Sequence, residues 1–439
     1  MTSHTETLYK AFLTNPEIVI DSRKVTPGCM FFGLEGAHVD GSAYAIQALE
    51  TGAALAVAKT GSHPPGSGLV LTDNPLTELQ ELARYRRTQL QIPVLGITGS
   101  NGKTTTKELT QRVLSMRYRT TATSGNLNNH IGVPLTLLSI RDTDELAIIE
   151  MGANHIGEIA FLSSLAQPTH GVITNIGRAH LEGFGGVEGV VRAKTELYQF
   201  LADHDGIVFV NRDEPYLSDH VTRISKRVVY YEAETASWSP WEVGLVYRSA
   251  ANGGSVEFMD EQGRRVTAET ALFGSYNLKN IATAITIGLH FGIESDAICT
   301  AIAEYVPSNN RAQRLEKGSN VWILDAYNAN PTSMIEALRS FAQFEHAHKG
   351  VILGAMMELG AYSDEAHDAV VQEAGKMILD ELILIGEGFR IPARSHGYLW
   401  FERVQDLQDY WAGRPPAQMC YLVKGSRAMH LESVLDAFE

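Results

Sequence analysis

Short apolar segments separated by polar turns open the chain. Ile18-Val19-Ile20, Met30-Phe31-Phe32 and Ala54-Leu55-Ala56-Val57-Ala58 are bounded by Gly and Asp positions, with a helix-like stretch over 43–51 between the second and third. The Gly- and Pro-rich run 61–68 reads as a surface loop, and Leu69-Val70-Leu71 then returns to the same sheet. This pattern predicts a small α/β domain, from which a helix over 75–91 leads out. At Val94-Leu95-Gly96-Ile97 the pattern changes to buried strands alternating with longer helical segments, the mark of a parallel sheet covered on both faces. Further strands are expected at 146–150, 172–175 and 207–211. Residues 227–270 alternate instead, in segments such as 243–248 and 255–259 joined by Asn252-Gly253-Gly254, which predicts an antiparallel insertion. A helix over 280–290 closes this second unit. After Val306-Pro307-Ser308 a third series follows: strands at 321–325, 351–353, 382–385 and 421–423, with helices over 332–344 and 364–379.

The reading is therefore an α/β protein of three domains, divided as 1–85, 86–306 and 307–439. The last is Rossmann-like, yet no G-x-G-x-x-G stands at its first turn, so it need not bind a dinucleotide. A length of 439 residues with 44% hydrophobic and 20% charged residues supports several cores. The formal charge of −15 argues against a broad footprint for nucleic acid or an anionic membrane, so any anion must be held by local groups. Cys29, Cys299 and Cys420 are too far apart for a zinc site or a disulfide framework. With neither a signal pattern nor an apolar run of membrane-spanning length, a cytoplasmic protein is expected.

The strongest chemical signal follows the strand at 94–97. Thr98-Gly99-Ser100-Asn101-Gly102-Lys103-Thr104-Thr105 leads into a helix over 105–116. A glycine-rich turn at a helix start aims backbone N–H groups and the helix dipole at phosphate. Lys103 would reach the β- and γ-phosphates, and Thr104 would offer its hydroxyl to Mg²⁺. The spacing departs from the standard phosphate loop, with Ile97 where the first glycine is usual and Gly96 and Gly99 on either side. A GTPase would also carry Asn-Lys-x-Asp, and Asn211-Arg212-Asp213-Glu214 does not match it.

Glu150 ends the apolar strand 147–150, where open α/β sheets bind ligands, and is a natural Mg²⁺ ligand beside Thr104; the bland alternative is a solvated strand-end carboxylate. His180, in Thr174-Asn175-Ile176-Gly177-Arg178-Ala179-His180, falls near the same edge, with a structural role as the bland alternative. Lys194 reads by default as a solvated helix lysine.

Taken together, 96–105, 125–136, 150–159, 174–182 and 325–334 resemble the Mur ligase family, in the branch that adds D-alanyl-D-alanine. Asp21-Ser22-Arg23, Phe32 and Asp40-Gly41 resemble its UDP-binding N-terminal domain, and residues 422–427 its C-terminal domain. The resemblance implies an ADP-forming ligase in peptidoglycan precursor synthesis that uses ATP and two Mg²⁺ ions. Its nucleotide would lie on 99–105, with Asn277 and Asn280 near adenine and Asp325 on the ribose. Lys194 would be N-carboxylated and, with His180, hold the second Mg²⁺. Arg311 would reach the γ-phosphate, with Arg314 as its rival, and Tyr276 stands where the family usually has His. Ser22, Arg23, Asn126, Asn128, Asn129, Asn328 and Asn330 would contact UDP-N-acetylmuramoyl-tripeptide and D-alanyl-D-alanine; for the last two asparagines a turn-forming role before Pro331 is as good a reading. A monomer is expected, with domain closure about a hinge near 305–310. The alternatives are a ligase of the preceding step, folylpolyglutamate synthesis, and a nucleotide-gated binding module.

Overall fold

The structure, a computed structural model, describes residues 3–438 apart from 37–38, 222–226, 232–245, 251–252 and 261. Strands β1 (Ile18–Val19), β2 (Met30–Phe32), β3 (Leu55–Lys59) and β4 (Leu69–Thr72) form a four-stranded parallel sheet in sequence order. Alternation along β2 sends Phe31 to one face, against Ala45 and Ala48 of the helix Ala45–Thr51. Met30 and Phe32 face the other way, onto Leu8 and Phe12 of a helix Ser3–Thr14 and Leu79 and Leu82 of the helix Pro75–Gln89. Sequence reading missed the Ser3–Thr14 helix. The Pro75–Gln89 helix starts as its sequence dictates, with Asn74 accepting from the Leu76 and Thr77 amides and Pro75 at its first turn. Residues 85 and 86 fall inside it. Its Arg87 donates from Nε and Nη2 to the carbonyls of Ala166 and Gln167, so it is anchored on the second unit as well.

The second unit is a six-stranded parallel sheet in the order β10-β9-β8-β5-β7-β6, made of β5 (Val94–Thr98), β6 (Thr120–Ala122), β7 (Leu146–Glu150), β8 (His170–Ile173), β9 (Ile207–Asn211) and β10 (Val228–Tyr231). One face packs on Leu109, Val113, Ile281 and Ile285 of the helices Lys103–Ser115 and Asn277–His290. The other packs on Ile159, Leu162, Leu197 and Leu201 of Glu158–Ala166 and Val187–Asp203. A three-stranded antiparallel sheet follows: β11 (Val246–Ala250), β12 (Gly253–Met259) and β13 (Arg265–Thr270). The expected insertion is thus narrower than 227–270, because Val228–Tyr231 pairs parallel with β9 at the edge of the main sheet. Residues 243–245 of the expected strand and Asn252 of its turn lie outside the described residues.

The third unit is a sheet in the order β14-β15-β19-β16-β17-β18, from β14 (Gln313–Lys317), β15 (Asn320–Asp325), β16 (Lys349–Gly354), β17 (Glu381–Ile385), β18 (Leu399–Phe401) and β19 (Cys420–Lys424). All neighbours are parallel except β14 with β15. Strands β14 and β18 had no counterpart in the sequence reading. No helix among the described residues is long and apolar enough to cross a membrane.

Candidate functional site

In the second sheet β5 is flanked by β7 on one side and β8 on the other, so the connections leaving its carboxyl edge diverge and open a crevice there. The phosphate-loop residues occupy that crevice. Gly99 has φ +141°, and a Cβ on it would lie 2.0 Å from Thr174 Oγ1; Gly102 has φ +76°, and its Cβ would lie 2.4 Å from Asn280 Oδ1. Both positions therefore demand glycine, whereas Gly96 lies inside β5. The loop is held from β8: the Asn101 N–H donates to Asn175 Oδ1 (3.0 Å), while Thr174 Oγ1 (2.6 Å) and Asn175 Nδ2 (3.1 Å) donate to the Asn101 carbonyl. The helix beginning at Lys103 thus turns its first amides toward a cavity of about 520 Å³, lined by Ser100 through Thr105.

Lys103 is folded back on its own loop, donating to the carbonyls of Gly99 (2.7 Å) and Ser100 (3.2 Å). Desolvation lowers its pKa from the ordinary lysine value, opposed by the Glu150 charge. Thr104 Oγ1 donates to Glu150 Oε1 (3.2 Å), and Asn128 Nδ2 donates to the same oxygen (2.9 Å). Glu150 is 1% exposed, so it is not a solvated strand end, and its Oε2 is buried without a hydrogen-bond partner. The nearest cation is the equally buried Lys107, 3.9 Å away, which donates to the Thr123 carbonyl. Oε2 lies toward Lys107, so the oxygen that could meet a divalent cation beside Thr104 is Oε1, which would exchange its Thr104 and Asn128 donors for the metal.

His180 lies on the same rim in a left-handed conformation, φ +51°, and pairs through Nδ1 with Glu358 of the third unit. Burial lowers its pKa, with the Glu358 charge opposing. Lys194 is 2% exposed, which overturns its reading as a solvated lysine. It donates to the carbonyl of Ala153, a cavity-lining residue (3.3 Å). Burial, with the Lys103 charge second, brings its pKa down to about 7. Neutral amine is therefore available near neutral pH, as addition of CO₂ requires.

The third unit closes the cavity from the other side. Asp325, at the end of β15, accepts from Lys424 Nζ (2.6 Å), from the Ala312 amide (3.2 Å) and from the Tyr276 hydroxyl at a long 3.5 Å. Arg311 lines the cavity with its guanidinium 3.7 Å from the centre of the Tyr327 ring. Arg314 lies on β14, pairs with Glu316, and is not among the lining residues. Asn277 donates to the Phe273 carbonyl and Asn280 to Asn277 Oδ1, and both reach the cavity. Asn126, Asn128, Asn129, Asn328 and Asn330 line it too. Three of these also do local work: Asn129 accepts from the Ile131 and Gly132 amides, Asn328 accepts from the Ala329 amide, and Asn330 caps the helix Pro331–Ala342. Asn330 Nδ2 then donates across to Asn101 Oδ1 (2.6 Å), tying the third unit to the phosphate loop. Ser22 and Arg23 stand apart from this cavity, on a turn of the first domain where Arg23 pairs with Asp21.

Sequence reading missed Lys107, Tyr327 and Glu358. Lys107 follows Lys103 by one helical turn, a spacing that could have placed it under Glu150. The other two depend on how the third unit docks, for which the sequence carries no local signal.

Geometry of this kind defines nucleotide-dependent enzymes that assemble one site between two α/β domains. Family models match this chain in three blocks: the Mur ligase family catalytic domain over 17–93, the Mur ligase middle domain over 97–288, and the Mur ligase glutamate ligase domain over 310–427. The UDP-N-acetylmuramoyl-tripeptide--D-alanyl-D-alanine ligase of Bacillus subtilis is 34% identical over 98% of this chain and 96% of its own length. A crystal structure of MurF from Acinetobacter baumannii superposes with a TM-score of 0.87 at 27% identity, covering 99% of this chain and 98% of that one. MurF of Thermotoga maritima, solved in complex with ADP, gives 0.84 at 26% identity over 100% and 98%. The chain belongs to the Mur ligase family.

Proposed function

We propose that this protein joins D-alanyl-D-alanine to UDP-N-acetylmuramoyl-tripeptide at the expense of ATP, through an acyl phosphate. One observation carries the reading. The phosphate loop and Glu150 of the middle domain share a single cavity with Arg311, Asp325 and Lys424 of the last domain, in a chain whose full-length relatives bear that ligase description. The relatives' description favours this reading over the preceding ligase step and over a simple switch.

The triphosphate lies on the amides of 99–105, and Lys103 leaves its own loop carbonyls to meet the β- and γ-phosphates. Asp325 takes the ribose, and Arg311 reaches the γ-phosphate from the opposite domain. Thr104 and Glu150 would hold one Mg²⁺, a reading supported by the Thr104 hydroxyl and Glu150 Oε1 lying 3.2 Å apart at the cavity wall. His180 and N-carboxylated Lys194 would hold a second. Bound Mg²⁺ would neutralise charge between the substrate carboxylate and the phosphates. The tripeptide carboxylate oxygen attacks the γ-phosphorus and ADP leaves. The amine of D-alanyl-D-alanine then attacks the acyl carbon, expels phosphate and loses a proton. No protein nucleophile takes part, so the chain's contribution is charge neutralisation and orientation, the latter worth on the order of 7–11 kcal/mol in favourable cases.

The test is incubation with ATP, Mg²⁺, a panel of UDP-muramoyl peptides and a panel of amino acids and dipeptides, with mass detection. The product expected is the UDP-muramoyl-pentapeptide, formed only with D-alanyl-D-alanine or a close analogue. Phosphate release that no peptide pair stimulates would overturn the reading.

A further inference from the structure

We propose that Glu358 is the recognition residue for the amino group of the incoming dipeptide, an inference that rests on the ligase reading above. Glu358 lies between β16 and the helix Ser363–Ala374 with φ +60°, a left-handed conformation in which a non-glycine residue is strained. Its neighbours enforce that conformation. The Met356 N–H donates to His367 Nε2 (3.0 Å), the Met357 N–H donates to Ser426 Oγ (3.1 Å), and Leu359 is 3% exposed. What the strain achieves is to carry a carboxylate across the cleft to His180, itself left-handed on the facing domain.

The chemistry of the cleft narrows the role. Lys103, Arg311 and Lys424 are cations arranged for phosphates and a carboxylate, a field that repels an approaching ammonium. An amine brought to the acyl carbon therefore needs an acid at its side. The carboxylates that line the cavity are engaged: Glu150 accepts from Thr104 and Asn128, Asp325 pairs with Lys424, Glu158 accepts from the Asn154 and His155 amides, and Glu336 has a partner as well, whereas Glu358 stands just outside the lining, against the rim residue His180. Glu358 is 58% exposed at its side chain, and among the described residues no lysine or arginine pairs with it. With His180 taken up by the second Mg²⁺ of the ligase reading, the Glu358 carboxylate is left to receive the incoming ammonium.

The full-length protein, wild type and Glu358→Gln, is assayed with ATP, Mg²⁺ and UDP-muramoyl-tripeptide in two ways. One measures KM and kcat for D-alanyl-D-alanine; the other replaces the dipeptide by hydroxylamine, a small neutral amine that traps the acyl phosphate as a hydroxamate. Glu358→Gln should raise the dipeptide KM by roughly tenfold or more, as loss of a charged hydrogen bond does, while hydroxamate forms at the wild-type rate. An unchanged dipeptide KM overturns the proposal. So does a parallel loss of hydroxamate with a raised Mg²⁺ requirement, which would make Glu358 a metal ligand. Wild-type protein that forms no hydroxamate would instead sink the ligase reading itself.

Discussion

Gly102 meets Asn280 so closely that a single methyl group tests whether the phosphate loop has the shape described. Gly102→Ala would place Cβ at 2.4 Å from Asn280 Oδ1 while keeping φ near +76°. Left-handed strain of this type costs about 1–3 kcal/mol, so nucleotide affinity by calorimetry should fall roughly tenfold or more. An unaltered affinity would mean the nucleotide does not use this turn. Lys194 bears on the proposed second metal. Lys194→Ala should abolish turnover, and formate or acetate added to that variant should restore part of it by supplying the missing carboxylate; a fully active plain variant would remove Lys194 from the chemistry. Gly102 stands in a motif readable from sequence, whereas Lys194 stands in none and takes its role from the family resemblance alone; only the structure shows it buried, at 2% exposure, rather than solvated.

Among the elements, β5, β7 and β9 were legible because each is a short apolar run bounded by polar turns, and their expected limits fall within a residue of those found. The Ser3–Thr14 helix and β14, with sequence Gln-Arg-Leu-Glu-Lys, mix polar and apolar positions and gain their identity from packing and pairing. Val228–Tyr231 has the same composition whether it pairs in a hairpin or at a parallel edge, so only its partner β9 decides. The segment bearing Glu358 is fixed by His367, which is 1% exposed, accepts from the Met356 amide and pairs through Nδ1 with the Ser363 carbonyl. Such bonding needs the neutral ring, and burial lowers its pKa below the usual 6.5. The folded protein then binds fewer protons than the unfolded chain, so this contribution is present above pH 6.5 and is lost as pH falls toward the folded value. Urea unfolding between pH 7 and 5 should show declining stability, and His367→Gln should flatten the slope by up to about 1.4 kcal/mol per pH unit. Parallel slopes would contradict the neutral clamp.

For the whole molecule, the site exists only where the middle and last domains meet. Asn330 reaches Asn101, the Thr332 hydroxyl accepts from the Arg178 amide, and Ser275 bonds Ser340. These hydrogen bonds are few, and beside them Phe273 of the middle domain packs edge-on against Phe341 and Phe344 of the last, an aromatic contact about which the two domains can turn. Asn309, Asn310 and Ala312, all at positive φ, lie in the segment that leads into the last domain, where a hinge is expected. Solution scattering should therefore show a smaller radius of gyration with an ATP analogue and UDP-muramoyl-tripeptide than without; an unchanged radius would count against closure. Closure would serve the proposed chemistry by bringing Arg311 and Lys103, which line one cavity, to a single phosphoryl group. The acyl phosphate that this arrangement serves is tested most directly by following an oxygen atom. With ¹⁸O in the terminal carboxylate of the tripeptide, attack on the γ-phosphorus must leave one labelled oxygen in each inorganic phosphate released. Phosphate free of label, with product still formed, would contradict an acyl phosphate and the account built on it.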